Sequence, residues 1–327
     1  MEKFDVIIIG AGPAGLSAAK ILGENKKKVL LIEKNSEVGD KICAGGLTFK
    51  DFEFNIPESL AEKSFYSMKV HCFNEIWEIK KERLFVVTID RKDLGQWMLE
   101  EVQKQESVEI RLNSEVTEVK DNSIILKDGQ EIEFDYLIGS DGSMSVVRKY
   151  LKLPTQDVFV AMQYVIPKVF PDLEVFFDQD LFGLGYAWIF PHKNSTSVGC
   201  GSDTRSQKSK NIFNNFQEWL KSNNIDVGDS KLQTFPINFD YRGFIFGNKF
   251  LVGDAGGFGS GLTGEGIYFA IVSGQEAAKK ILNPKHSLSK IRYILRMKKI
   301  QEKLGRLLKY NVLRNKYLTQ YFFKKYF

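Results

Sequence analysis

Cysteine and histidine are scarce in this sequence, with three of each in 327 residues. Cys43, Cys72 and Cys200 lie far apart and form no CxxC pair. That excludes a disulfide framework or a cysteine-ligated cluster, and it fits a reducing compartment. His71, His192 and His286 show no metal-ligand spacing, so no metal is expected. No apolar run approaches membrane-spanning length. The first strand starts by Phe4, so the reading expects no signal peptide and a cytoplasmic protein. What remains is 43% hydrophobic and 27% charged, ordinary for a globular protein. The length allows a substantial core and two structural units.

Phe4-Asp5-Val6-Ile7-Ile8-Ile9 is a short apolar run rich in β-branched residues, which predicts a buried parallel strand. It enters Gly10-Ala11-Gly12-Pro13-Ala14-Gly15 and a small-residue helix over 16–22. A second strand, Val29–Ile32, ends on Glu33. Each part of this βαβ pattern has a mechanical use in holding a dinucleotide. Gly10 permits the tight turn, Gly12 lets backbone approach a pyrophosphate, and Gly15 lets helix and strand pack closely. The helix N-terminus offers free N–H groups to the phosphates, and Glu33 accepts hydrogen bonds from a ribose. The fingerprint alone does not choose between NAD and FAD.

Beyond Glu33 a polar loop leads to Ile42-Cys43-Ala44-Gly45-Gly46, whose glycines let backbone pass close to a flat ligand. Cys43 reads equally as a thiol facing a cofactor ring or as a small buried residue. Strands are expected over 66–80 and 84–89. Asp90 caps the next helix, and Arg91 in its first turn opposes the helix dipole unless it faces a phosphate. Short strands follow over 108–134, with Asp128-Gly129 as a hairpin turn. The strand over 135–140 ends in Asp141-Gly142 and reads as a continuation of the parallel sheet.

From about 156 to 236 the pattern changes to successive strands over 164–166, 173–177, 187–190 and 197–201, which predicts a largely antiparallel, aromatic-rich sheet. A helix over 211–220 would place Phe213, Phe216, Trp219 and Leu220 on one face, as core or as a greasy substrate wall. A strand over 249–252 then ends in Gly253-Asp254 before a glycine-rich loop and a helix over 267–282. Gly259, Gly261 and Gly264 repeat the glycine triplet. No strand ending in an acid follows that helix, so a second dinucleotide site is rejected. The loop backbone is expected to lie against the one cofactor already bound.

The basic charge is concentrated at the end. Residues 285–327 hold thirteen Lys/Arg against one acid, Glu302. With helical apolar spacing and a terminal aromatic cluster, this stretch reads as a peripheral membrane contact or as a helix packed on the body with a solvated basic face. Nothing else supports nucleic-acid binding.

The glycine fingerprint with Glu33, Asp141-Gly142 and Gly253-Asp254 together resemble the FAD-binding fold of the para-hydroxybenzoate-hydroxylase type. Within it the chain is similar to the geranylgeranyl reductase family. That likeness is carried by Lys41-Ile42-Cys43-Ala44-Gly45-Gly46, Tyr186-Ala187-Trp188-Ile189-Phe190-Pro191, Ser197-Val198-Gly199-Cys200-Gly201, and Gly253-Asp254-Ala255-Gly256 leading to Leu262-Thr263-Gly264-Glu265-Gly266-Ile267. It covers roughly residues 1–282.

The resemblance implies an α/β protein. A discontinuous Rossmann-like FAD-binding domain would take residues 1–65, 84–155 and 240–282. A largely antiparallel β-sheet substrate domain would take 66–83 and 156–239, and a helical tail 283–327. FAD would be held by Gly10, Gly12, Ala14, Gly15, Glu33 and Lys34 from the first unit, with Glu33 on the adenosine ribose. Arg91 would stand near the pyrophosphate, and Asp254 would hold the ribityl chain. Cys43, Ala44, Gly45, Asp141 and Gly253 join this set, as do Gly264, Gly266 and Ile267 from the loop facing the isoalloxazine. The implied reaction is hydrogenation of isolated carbon–carbon double bonds in a polyprenyl chain. Tyr186, Trp188, Phe190 and Gly201 would line the substrate, with Cys43 and Tyr186 nearest the reacting carbon. NAD(P)H or a ferredoxin-like protein would donate electrons. A flavin monooxygenase or halogenase on the same fold, and a non-catalytic prenyl-lipid carrier, are the competing readings.

Overall fold

The strand Glu2–Ile9 is central because its residues Val6 to Ile9 are apolar and buried on both faces, as a covered parallel strand requires. In the computed structural model, which describes residues 2–72, 75–204, 209–260 and 266–309, this strand lies inside an eight-stranded sheet. Across that sheet the strands run Ile245–Phe246, Lys249–Leu251, Glu131–Gly139, Glu2–Ile9, Val29–Ile32 and Val108–Arg111. The pairings of Glu2–Ile9 with both neighbours are parallel, as are those of Lys249–Leu251 with Glu131–Gly139 and of Val108–Arg111 with Val29–Ile32, while Ile245–Phe246 pairs antiparallel with Lys249–Leu251. The expected hairpin is present: Gly129 takes φ +89 between the antiparallel strands Ser123–Leu126 and Glu131–Gly139. One apolar cluster joins this sheet to the helices Pro13–Glu24, Arg91–Gln103 and Ile267–Leu282.

A seven-stranded sheet carries the second layer system. Its strands run Gln233–Asn238, Val158–Ile166, Thr196–Asp203, Tyr186–Pro191, Glu174–Phe177, Ser67–Cys72 and Glu75–Lys80. Every pairing is antiparallel except that of Glu174–Phe177 with Ser67–Cys72. Strand alternation divides its residues between two cores. Tyr186 and Trp188 face one apolar cluster, with Phe190 packed against it, while Ala187 and Ile189 face another. The helix Ser209–Ser222 covers that second face through Ile212, Phe216, Trp219 and Leu220. It is therefore core and not a substrate wall. Phe213, expected on the buried face, is 39% exposed, because Ile212 takes the inward position at this helical phase. The expected strand over 84–89 is present as Val86–Thr88, but its partners Gly46–Thr48 and Lys63–Phe65 in a small antiparallel sheet, and the strand Gln233–Asn238, carried no signal in the sequence.

The final described helix, Ser289–Lys309, is not a free amphipathic anchor over its described side chains. Ile291, Ile294, Lys298 and Gln301 are buried at helical spacing, and Leu295 and Met297 pack on the dinucleotide-side core. The aromatic terminus 310–327 lies outside the described residues. Among the described residues no helix is long and apolar enough to cross a membrane.

Candidate active site

The phosphate turn is built as its sequence predicts. Gly10 has φ +100, and a Cβ there would sit 2.5 Å from the Ser140 carbonyl oxygen. A Cβ on Gly15 would fall 2.0 Å from the Gly10 carbonyl oxygen, so only glycine lets the helix Pro13–Glu24 approach so closely. A Cβ on Gly12 would meet nothing within 4 Å, which leaves its outer side open to a ligand. Pro13 occupies the first helical turn, where its missing N–H costs no intrahelical bond. Glu33 is fixed by accepting hydrogen bonds from the N–H groups of Ala11 (2.9 Å) and Asn35 (3.0 Å). Lys34 beside it is exposed. Ala14 is buried between Gly253 and Gly274 and supports the turn from behind.

Two buried polar atoms near this turn have no partner. The Nη1 atom of Arg91 and the Oδ1 atom of Asp141 make no hydrogen bond, although both are shut away from solvent. Burial pushes the Arg91 guanidinium below its usual range, against the pull of Cys43, Asp90 and Asp254. Burial also pushes the Asp141 carboxyl up, partly offset by hydrogen bonds from Ser145 and from the Val146 N–H, which lies 2.7 Å from Oδ2. An orphaned buried cation costs several kcal/mol unless an anion completes it, so Arg91 is shaped for a bound phosphate. The open Gly12 and the orphaned Arg91 fit an FAD pyrophosphate.

Asp254 ends the parallel sheet inside the short helical turn Gly253–Gly256. Gly253 takes φ +55, and its N–H donates to the Ser273 hydroxyl at 2.9 Å. Asn238 Nδ2 donates to the Asp254 carbonyl (2.8 Å), and Arg148 Nη1 to the Ala255 carbonyl (3.2 Å). The Asp254 carboxylate pairs with Lys41 Nζ at 2.7 Å. Gly266 caps the helix Ile267–Leu282, whose first residue is half-buried. Gly264, with the rest of 261–265, lies outside the described residues.

The Cys43–Gly45 segment is held through its own carbonyls by the seven-stranded sheet and by Ile89. Gln163 Nε2 donates to the Cys43 carbonyl (3.4 Å), His192 Nε2 lies 3.0 Å from the Ala44 carbonyl, and the Ile89 N–H donates to the Gly45 carbonyl (2.9 Å). His192 Nδ1 is 2.5 Å from Glu62 Oε2. Gly45 has φ +76, and a Cβ there would strike the His192 ring at 2.7 Å. Behind Gln163 a buried relay continues, Trp188 Nε1 donating to Ser197 Oγ and Ser197 to Gln163 Oε1, each at 3.0 Å. The wall beside this segment is apolar: Ala44 and Phe190 pack against the cluster of Tyr186, Trp188, Phe159 and Phe239. Burial pushes the Tyr186 phenol well up, with a smaller push from Cys43, so it stays protonated. Gly201, expected to line the substrate, instead makes room for a side chain. A Cβ there would lie 1.9 Å from the Phe159 ring, and that ring fills the position.

His192, Gln163, Arg148 and Lys298 all bear on the site and carried no sequence signal, because each acts through a contact distant in the chain. Lys298 is buried on the last described helix. It donates to the Gly259 carbonyl (2.8 Å) and pairs with Glu302 (2.6 Å), and burial pushes its pKa down. Among the cysteines, burial pushes Cys72 up to about 12 and Cys200 well above its usual value, while Cys43 is only half-buried. Native apoprotein at pH 8 is therefore expected to react with one equivalent of iodoacetamide, at Cys43, with FAD slowing the reaction about tenfold or more. Peptide mapping that found Cys72 labelled first would overturn this placement.

Comparison with known proteins agrees with the cradle. Residues 3–285 match the family described as FAD binding domain. An uncharacterized Methanosarcina barkeri protein is 33% identical over 296 residues, spanning 86% of this chain and 75% of that one. A digeranylgeranylglycerophospholipid reductase from Thermoplasma acidophilum is 26% identical, over 85% of this chain and 78% of its own length. The crystal structure of a geranylgeranyl bacteriochlorophyll reductase-like protein from Thermoplasma acidophilum shares the fold, with a TM-score of 0.79 and 20% identity over 94% of this chain and 86% of that one. This chain belongs to the FAD binding domain family, resembles the geranylgeranyl reductases within it, and is an FAD-dependent oxidoreductase.

Proposed function

We propose that the enzyme reduces isolated carbon–carbon double bonds in the polyprenyl chain of a lipid. The observation that carries this reading is the aromatic wall of Tyr186 and Trp188, fixed by a buried hydrogen-bond relay to the same Cys43–Gly45 segment that borders the cofactor cradle. An unactivated alkene offers no polar handle, so positioning and exclusion of water must do the work of binding groups. When bound and reduced, FAD supplies a hydride to one alkene carbon. Reduction needs one proton at the other carbon as well. The Tyr186 phenol, kept protonated by burial, is the donor we assign, with the Cys43 thiol beside it. Gln163 and His192 hold the segment in register, and Arg91, Glu33 and Asp254 hold the cofactor.

NAD(P)H or a ferredoxin-like protein would supply the electrons. The exposed side of the helix Ser289–Lys309 presents Arg292, Arg296, Lys299 and Lys303 beside Tyr293, which is 48% exposed. That side suits contact with an anionic membrane surface from which lipid is drawn. The reaction is tested by anaerobic incubation of chemically reduced holoprotein with a panel of polyprenyl lipids, followed by mass spectrometry. Products heavier by pairs of hydrogens are expected. Unchanged lipid there, with an oxygen or halogen gained once air and halide are admitted, would sink the reductase reading.

A further inference from the structure

We propose that Lys50, Lys81 and Arg83 form a binding site for the phosphate of the lipid substrate's headgroup, a proposal that rests on the prenyl-reductase reading. The three cations approach one another from two segments. Lys50 lies in the short helical turn Phe49–Phe54, and Lys81 and Arg83 follow the strand Glu75–Lys80. Arg83 stands 4.5 Å over the Phe49 ring, and Lys81 Nζ stands 4.2 Å over the Phe85 ring. Burial, then repulsion from Arg83 and Lys50, lowers the Lys81 pKa, and no acid opposes them. Glu82 is exposed between two of the cations and pairs with neither. Elsewhere the pattern is the opposite: Lys3, Lys69, Lys120 and Lys127 each hold a carboxylate. Cations gathered without counter-charge repel, and an anion with several acceptor oxygens relieves that cost.

Their position relative to the site follows from the register of the small sheet. Gly46 pairs with Thr88 at the end beside the Cys43–Gly45 segment, and Thr48 pairs with Val86 at the other end. Lys50 lies two residues past Thr48, and Phe85 directly precedes Val86. From Ile89, which bonds Gly45, back to Phe85 is four residues, roughly 13 Å of extended chain. That is well within the length of a polyprenyl chain. Phe85, which carries Lys81 on its ring, belongs to the same apolar cluster as Tyr186 and Trp188. Phe49 and Tyr66 are 49% and 58% exposed near the cations and give the site an apolar rim. The arrangement suits a molecule with an anionic end outside and a hydrocarbon chain leading inward. A phosphate suits it better than a carboxylate, because it offers more acceptor oxygens to three donors, one of them a planar guanidinium.

The test is equilibrium binding to oxidised holoprotein of a prenyl monophosphate and the neutral prenyl alcohol of the same chain length. Preference for the phosphate by about tenfold or more is expected, the scale of one or two charge-assisted hydrogen bonds. The double variant Lys81→Gln/Arg83→Gln should reduce that preference to near unity, whereas Lys81→Arg should keep it. Lys149→Gln, which removes an exposed lysine on the other unit, should also keep it. Equal binding of the two lipids by the unaltered protein, or a preference that survives the double variant, would overturn the proposal. Inorganic pyrophosphate binding as tightly as the prenyl phosphate would overturn the lipid headgroup in favour of a free-anion site. Because the readout is binding, a charge-dependent preference without any hydrogenation supports this site and counts against the reductase reading alone.

Discussion

Replacing Arg91 by Met is expected to weaken FAD binding about 100-fold while raising the melting temperature of the apoprotein. The two effects have opposite signs for one reason. In the apoprotein Arg91 is 8% exposed and its Nη1 has no partner, so the fold bears the desolvation of a cation that the pull of Asp90 and Asp254 only partly offsets. Methionine fills similar volume without that cost. In the holoprotein the same cation completes the phosphate site, and its loss removes a charge-assisted bond and leaves a buried phosphate charge uncompensated, together about 3 kcal/mol. Calorimetric titration with FAD and thermal melts of both forms measure the pair of effects. An apoprotein melting lower, with FAD affinity unchanged, would show that Arg91 is structural only.

Gly274→Ala is expected to destabilise the protein by about 2 kcal/mol or more and to lower FAD affinity with it. In an exposed helix the same change stabilises by about 1 kcal/mol, since alanine is the better helix former. Here the helix Ile267–Leu282 lies so close to the first helix that a Cβ on Gly274 would fall 2.0 Å from the Ala14 carbonyl oxygen. The obstacle is backbone, which cannot swing aside as a side chain does. Relief requires the two helices to separate, and Ala14 belongs to the phosphate turn itself. The melting temperature should fall by several degrees. A rise, as for a solvent-facing glycine, would mean that the helices tolerate separation and that the turn does not depend on their contact.

Local constraints were legible where neighbours in sequence are neighbours in space. The turn at Gly10–Gly15, the Asp90 cap, whose Oδ1 accepts the Lys92 N–H at 2.6 Å, and the Asp128-Gly129 hairpin all follow from short-range geometry. Tyr186, Trp188 and Phe190 alternate along one strand and so share a face, but which core that face joins depends on strands far off in the chain. For the same reason Phe213 was assigned inward and Ile212 overlooked: a one-residue change of helical phase is decided by what the helix packs on. Gly201 was expected to line the substrate, and its missing side chain makes room for Phe159. The charge of the basic tail left a membrane contact and a packed helix both open, and Ile291, Ile294 and Gln301 bury one side of its described helix and leave Arg292, Arg296 and Lys299 exposed on the other.

The sequence by itself determined the cofactor cradle and the order of strands that builds it, because a glycine turn, a cap or a buried β-branched strand is forced by local sterics and period. Only the tertiary structure decided how the Cys43–Gly45 segment and Gly259 are held. His192 meets Ala44 across 148 residues, Gln163 meets Cys43 across 120, and Lys298 meets Gly259 across 39. Such contacts leave no periodic trace in the chain, since a single hydrogen bond fixes two residues without constraining those around them.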